Sequence, residues 1–313
     1  PTLTPTTQTG DQSGASGNGL LTELTLDYNL QGEAVWDAFI SADGAHLIVF
    51  VDDDQLDVYD LVSGQAWNVT APIEFFYAPN VYVTATEVII LDYYGHDTMP
   101  VVVWRVDLVS GEPRQTASIT SGELYPIQAA LSPDGSLAAV GYNNGVISLY
   151  RTSDGDLVSS FQAHIDNVTS LAFSPSGNYL ISDSWSFDPH TYVFNVSTGV
   201  ILATLSTESW EPGVVDFSPD GTLVSITEGD GTHFISTANW QPTGVIIPGI
   251  WEGFFSCNGD SLLFAAAEGY EVFSTATGEW NGVLDVFPLY CLSDGRMVTV
   301  DFVDDVVTVN VVE

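Results

Sequence analysis

A four-residue turn recurs along this chain at a nearly constant interval. Ser132-Pro133-Asp134-Gly135, Ser174-Pro175-Ser176-Gly177 and Ser218-Pro219-Asp220-Gly221 are near copies. Ser41-Ala42-Asp43-Gly44, Ser256-Cys257-Asn258-Gly259 and Leu292-Ser293-Asp294-Gly295 are looser ones. The glycines fall at 44, 135, 177, 221, 259 and 295, leaving gaps of 91, 42, 44, 38 and 36 residues. The first gap is about two periods, with a degenerate copy near Thr84-Ala85-Thr86-Glu87. Proline presets φ at the second turn position, Asp or Asn hydrogen-bonds its own backbone, and glycine takes the positive φ that ends the turn. Apolar stretches flank it, as in Ile127-Gln128-Ala129-Ala130-Leu131 before and Leu137-Ala138-Ala139-Val140 after. Each turn therefore joins two buried strands in a hairpin. A period near 40 residues, each unit made of short strands, predicts the blades of a β-propeller.

A second punctuation follows some 20 residues later. Asp60-Leu61-Val62-Ser63-Gly64 and Asp107-Leu108-Val109-Ser110-Gly111 are identical, and Asp154-Gly155, Thr198-Gly199 and Thr277-Gly278 hold the same place further on. A unit thus reads strand, Asp-Gly turn, strand, loop, strand, Ser/Thr-Gly turn, strand. Counting units predicts an all-β, seven-bladed propeller of four-stranded antiparallel blades, at about 33–72, 73–122, 123–164, 165–207, 208–249, 250–286 and 287–313. The last unit stops after a third strand, Val306 to Val312. Leu20-Leu21-Thr22-Glu23-Leu24-Thr25-Leu26, within a closing segment at 20–32, resembles an outer strand such as Val200 to Leu205 and is the expected donor of the fourth. Closure by strands from both ends leaves no exposed inner edge.

Residues 125–207 carry a resemblance to the WD-repeat family of β-propellers. Ala163-His164 stands where that family has Gly-His. Val168-Thr169-Ser170-Leu171-Ala172-Phe173-Ser174-Pro175-Ser176-Gly177 matches its inner strand and turn, and Asp188 precedes Tyr192-Val193-Phe194-Asn195, where the family often ends in Trp-Asp. The resemblance implies that His164 and Asp188 form a structural hydrogen-bonded pair. It also implies a scaffold for binding, without fixing any chemistry. Other units lack one or both members of the pair, and Trp36-Asp37 is out of place for the motif.

The charge balance narrows the partners. Asp and Glu number 41 against 4 Lys and Arg, giving a formal net charge of −37. The chain has no lysine; its cations are Arg105, Arg114, Arg151 and Arg296. A basic nucleic-acid footprint is excluded. Near-absence of lysine fits a secreted or cell-surface protein, which then offers trypsin-like proteases few sites. Residues 1–19, from Pro1-Thr2-Leu3-Thr4-Pro5 through Gly/Ser-rich Asp11 to Gly19, read as a low-complexity stalk ahead of a propeller at 20–313. Such a stalk often follows a cleaved export signal, so the expected location is extracellular or cell-surface. No run of 18 apolar residues suits a membrane-spanning helix. Cys257 and Cys291 lie in regions that neighbouring blades bring close; a disulfide and two buried thiols are the alternatives.

The loops between second and third strands emerge on the face where inner strands begin. Candidate binding residues on that face are Trp36, Asp37, Tyr94, His96, Trp185, Asp188, His190, Trp210, His233, Trp251 and Glu252. Three uses compete: solvated loops with tryptophans plugging the ring, a recognition face for glycan, peptide or another copy, and a metal site from His96, His190, His233 and neighbouring acids. Calcium is the candidate ion for Asp52-Asp53-Asp54 or Asp304-Asp305, although no twelve-residue calcium loop is present. Asn68-Val69-Thr70, Asn167-Val168-Thr169 and Asn195-Val196-Ser197 are sequons, at a number near chance for this composition. Gly-x-Ser-x-Gly elbows, phosphate-cradling loops and His-Glu-x-x-His are missing. The sequence therefore points to a non-enzymatic, exported interaction unit without an obligatory cofactor, able to join other copies through its N-terminal segment. A stalked glycan- or peptide-binding protein and a metal-dependent extracellular enzyme are the alternatives.

Overall fold

In a computed structural model, the structure describes residues 23–27, 35–41, 45–51, 55–63, 65–70, 80–84, 86–93, 100–120, 122–184, 188, 190–206, 214–249, 253–256, 258–266, 269–284, 287–291, 297–303 and 306–312. Ahead of Phe39 and beyond Leu284 it describes backbone alone. The strands are β1 (Glu23–Asp27), then β2 (Val35–Ile40), β3 (His46–Val51), β4 (Gln55–Asp60) and β5 (Ala66–Thr70). Next come β6 (Asn80–Val83), β7 (Glu87–Asp92), β8 (Val101–Asp107) and β9 (Pro113–Ile119), followed by β10 (Pro126–Leu131), β11 (Leu137–Tyr142), β12 (Val146–Arg151) and β13 (Leu157–Gln162). β14 (Val168–Phe173), β15 (Tyr179–Ser184), β16 (His190–Asn195) and β17 (Ile201–Ser206) precede β18 (Val215–Phe217), β19 (Leu223–Glu228), β20 (Gly231–Ser236) and β21 (Gln241–Pro248). The chain continues through β22 (Phe254–Phe255), β23 (Ser261–Ala266), β24 (Gly269–Ser274) and β25 (Trp280–Leu284) to β26 (Phe287–Cys291), β27 (Met297–Val303) and β28 (Val306–Val312).

Every sheet is four-stranded and antiparallel. Six are built of four consecutive strands each, from β2-β3-β4-β5 through β22-β23-β24-β25. The remaining sheet is composite, in the order β1-β28-β27-β26. The count of seven equivalent units thus resolves into six blades contiguous in sequence and one sheet assembled from distant segments. Glu23 to Asp27 lies against Val306 to Asn310, with Leu24 opposite Val309. The closing segment anticipated at 20–32 contributes these five residues as strand.

The turn chemistry is local and repeats. The Ser132 carbonyl accepts from Gly135 N–H at 2.8 Å, and Gly135 sits at φ +66. Asp134 Oδ1 accepts from the Ser132 hydroxyl at 2.6 Å and the Ser136 amide at 3.0 Å, while Ser132 Oγ accepts from Leu137 N–H at 2.9 Å. Ser218-Pro219-Asp220-Gly221 repeats the pattern. The serine hydroxyl also takes the fifth following amide at Ser41, Ser174 and Ser256. These bonds hold the Asp134 carboxyl below the usual carboxylate range, the Ser132 hydroxyl contributing most.

Burial lies between blades rather than within them. One cluster joins Ile48, Phe50, Leu56, Val58 and Val69 to Val83, Val88, Ile90, Val106 and Leu108 of the next blade. Others bridge each successive pair of blades up to Phe234, Ile247, Phe255, Leu262 and Phe264. Middle strands are consequently covered on both faces, so β11 is buried almost continuously instead of at alternate positions. The second turn of one blade also seats against the outer strand of the blade before it. Gly155 faces Ala117, Gly199 faces the Phe161 ring, and Gly278 faces Val245 and Ile246. Arg105 clamps two blades: it donates to Glu87 at 2.7 Å and reaches Thr152 Oγ1, 47 residues away, at 2.8 Å. Thr152 in turn donates to the Gly135 carbonyl at 2.6 Å.

Candidate functional site on the loop-bearing face

The loop entering β14 meets the loop between β15 and β16 through one carboxylate. Asp188 Oδ2 lies 3.2 Å from His164 Nδ1 and accepts from the Ile165 amide at 3.1 Å. Its Oδ1 lies 3.0 Å from His190 Nδ1. His164 Nε2 lies 2.7 Å from Ser182 Oγ on β15. A neutral ring that donates from Nδ1 to Asp188 accepts the Ser182 hydroxyl proton at Nε2. Tyr192 on β16 packs against His164 with ring centroids 5.0 Å apart and stacks on His190 at 5.8 Å and 15°.

Burial shapes the electrostatics. The His164 side chain has 0% exposure. That burial drives its pKa down to about 4, outweighing the upward pull of the Asp188 charge and hydrogen bond. The Tyr192 hydroxyl is raised, by burial first and then by Asp188. His190 differs in position: its side chain is 44% exposed. In the following blade His233 Nε2 meets Asp230 Oδ1 at 2.7 Å, at the hairpin from β19 to β20. Glu228, Asp230 and His233 place ligand-capable atoms within 4.8 Å of one another. This is the group among the described residues that could hold a metal ion, and it draws on one hairpin rather than on several blades.

The structure therefore sorts the sequence candidates. His164 and Asp188 come together. His190 joins them through the second Asp188 oxygen, a contact that the two-residue spacing on a loop left open. His190 and His233 sit in different blades, each with its own acid, so the described part of the His96–His190–His233 grouping does not converge on a shared pair of ligands. Trp36 falls within β2 at an irregularity between Val35 and Asp37, an inner strand rather than a loop. Thr169 holds the corresponding place in β14. The side chains of Trp36 and Asp37 lie outside the described residues, as do Tyr94, His96, Trp185, Trp210, Trp251 and Glu252. The same holds for Asp52, Asp53, Asp54, Asp304, Asp305 and Cys257, and for the side chain of Cys291; the bridge considered for the two cysteines thus falls outside what is described.

Sequence reasoning passed over two groups. Ser182 is one, a small polar residue followed by Asp183 and Ser184 in β15, with no local signal of its partner. Asp216 on β18 is the other. Burial pushes its carboxyl up to about 6, opposed by the Phe217 amide that it accepts at 2.7 Å. Its position two residues before the turn serine matches Ala130 and Ala172 in the preceding blades. A small apolar residue there in two neighbouring units was the available clue.

The fold and this network define a class: a β-propeller in which one histidine–serine–aspartate contact ties the loop entering β14 to β15 and to the loop that follows it. The family described as "WD domain, G-beta repeat" matches residues 155–195, which carry that contact. Eukaryotic translation initiation factor 3 subunit I of Candida glabrata is 38% identical over 82 residues, covering 26% of this chain and 23% of that protein. The WD repeat-containing protein VIP3 of Arabidopsis thaliana is 31% identical over 107 residues, covering 34% and 33%. An uncharacterised WD repeat-containing protein of Synechocystis is 33% identical over 92 residues, covering 29% and 26%. The matched stretches span about a quarter to a third of these relatives. The chain is a WD-repeat-like β-propeller.

Proposed function

We propose that the chain is a non-catalytic interaction scaffold that receives a protein partner on its loop-bearing face. The enclosure of the histidine–aspartate pair carries this reading. A general base must reach a substrate proton, whereas His164 is sealed from solvent and Asp188 is divided among His164, His190 and the Ile165 amide. What remains open is recognition chemistry: a part-exposed imidazole stacked on tyrosine, and the acidic hairpin of Glu228 and Asp230. The names of the relatives, a translation initiation factor subunit and WD repeat-containing proteins, support a scaffold role. Proximity labelling with the wild type and with a His190→Ala/Asp230→Ala variant tests it. A discrete set of neighbours should disappear in the variant while its melting temperature stays put. An unchanged set of neighbours would remove the face from consideration.

A finer reading takes the lysine-free composition and residues 1–19 together. In it the scaffold is exported to the cell surface and joins other copies, β1 of one chain completing the composite sheet of the next. Light scattering of the full chain and of a chain lacking residues 1–27, which removes β1 (Glu23–Asp27), in calcium and then in chelator, distinguishes this from closure within one chain. Assemblies that dissolve on truncation favour it, and a monomer throughout eliminates it. The competing uses of the face are equally separable. Glycan recognition predicts binding to oligosaccharide arrays, and a metal-dependent enzyme predicts stoichiometric metal with turnover lost in His96→Ala or His190→Ala.

A further inference from the structure

The outer rim of the two central blades carries an apolar strip that the loop-face reading leaves unused. On β13, Leu157 and Val158 are 57% and 51% exposed. On the neighbouring blade, Val200, Ile201 and Leu202 are 57%, 45% and 45% exposed. β13 and β17 are the outermost strands of their sheets. Neither Leu157–Gln162 nor Ile201–Ser206 contains a charged residue or a proline, the usual guards of an exposed strand. The two groups are joined: Phe161 lies four positions along β13 from Leu157, roughly 13 Å at strand rise, and its ring meets Gly199, the residue before Val200. Five large apolar side chains on the outer strands of two neighbouring blades exceed the scattered exposure ordinary on a surface.

Charge decides what fits there. Asp154 and Asp156, at the foot of β13, are 45% and 74% exposed, and Arg151 beside them is engaged with both. Arg105 and Arg114 are both held by Glu87. A second copy would bring another −37 against this rim with no described arginine unengaged to meet it. We infer that the rim formed by Leu157, Val158, Val200, Ile201 and Leu202 docks an extended segment of another protein in which apolar residues alternate with lysine or arginine. The apolar side chains lie on the strip and the cations meet Asp154 and Asp156.

Two fluorescent synthetic peptides test this, one alternating valine with lysine and one alternating valine with glutamate. Anisotropy is read with the full wild-type chain, with Leu157→Ser/Val158→Ser/Ile201→Ser/Leu202→Ser, and with Val62→Ser/Val109→Ser. The last removes exposed valines from two turns elsewhere, at 51% and 88% exposure. The lysine peptide should bind the wild type and the Val62/Val109 variant alike. Its affinity should fall about tenfold or more in the rim variant, a loss of about 1.4 kcal/mol or more, while the glutamate peptide binds none of them. Equal affinity in the two variants would mean charge attraction alone and would overturn the docking strip. Equal binding of the glutamate peptide would overturn the partner's charge. A wild-type dimer that the rim substitutions dissolve would make the occupant a second copy. Should the fourfold variant unfold, the single changes Leu157→Ser and Leu202→Ser carry the same comparison. Loss of rim binding leaves the loop-face proposal untouched, because His190 and Asp230 are unaltered.

Discussion

Replacing His164 with asparagine should produce a protein that is weaker than wild type at neutral pH and stronger in mild acid. Burial depresses the His164 pKa from 6.5 to about 4. The folded state therefore favours the neutral ring, and this stability is complete above pH 6.5. It drains away as pH falls from 6.5 towards 4, because the unfolded chain takes up the proton first. The interval between 6.5 and about 4, at about 1.4 kcal/mol for each pH unit, amounts to about 3 kcal/mol, of which about 2 kcal/mol is gone by pH 5. Asparagine is neutral throughout. It retains a donor near Asp188 but loses the 2.7 Å contact to Ser182 and part of the ring volume, a cost of about 2 kcal/mol at pH 7.5. The two stability curves should cross near pH 5. Urea unfolding followed by tryptophan fluorescence at pH 7.5, 6, 5 and 4.5 measures the difference directly, and other titrating groups cancel in the comparison. A gap that stays constant over that range would refute the claim that His164 is held neutral by burial.

Asp216 should behave with the opposite sign. Its carboxyl is raised from 3.8 to about 6, so ionisation destabilises the fold above pH 6 and the penalty is relieved as pH falls towards 3.8. Asp216→Asn should gain about 2 kcal/mol at pH 7.5, after allowance for partial solvent contact, and lose that advantage by pH 4; a gain independent of pH in the same unfolding series would argue against it. Arg105→Met should cost about 2 kcal/mol, since Glu87 keeps only the exposed Arg114 and Thr152 loses its donor; a melting temperature equal to wild type contradicts the inter-blade clamp. Gly145 sits at φ +79, and a Cβ there would overlap the His164 carbonyl. Gly145→Ala should therefore cost about 3 kcal/mol or more and loosen the Asp188 network, visible as faster amide exchange at Ile165.

What the sequence disclosed and what it withheld differ by range. The Ser132 and Ser218 turns close through bonds spanning two to five residues, so each could be read from its own tetrapeptide. That the N-terminal segment supplies the fourth strand beside β28 was legible for a different reason: one unit lacked a strand and another segment had one to spare. His164 and Asp188, 24 residues apart, were visible only through resemblance to a repeat family. Arg105 reaching Thr152, Gly199 seated on Phe161 and the burial of Asp216 arise where one blade meets the next. The spacing between blades carries no pattern that a linear reading of turns could find. The His164–Asp188 pair was therefore reached through the resemblance, while the sharing of that carboxylate between two histidines required the fold.

The composite sheet imposes an order in time on the ribosome. β1 is made first among the strands, yet its partner begins at Val306, 279 residues after Asp27. At roughly 5–20 residues per second of synthesis, β1 waits on the order of 15–60 s before a mate exists. During that wait the nascent segment Glu23-Leu24-Thr25-Leu26-Asp27, with an acid at each end, has no strand to pair with. Six blades can mature while emerging, but the ring becomes a ring only after the last strand is released from the exit tunnel.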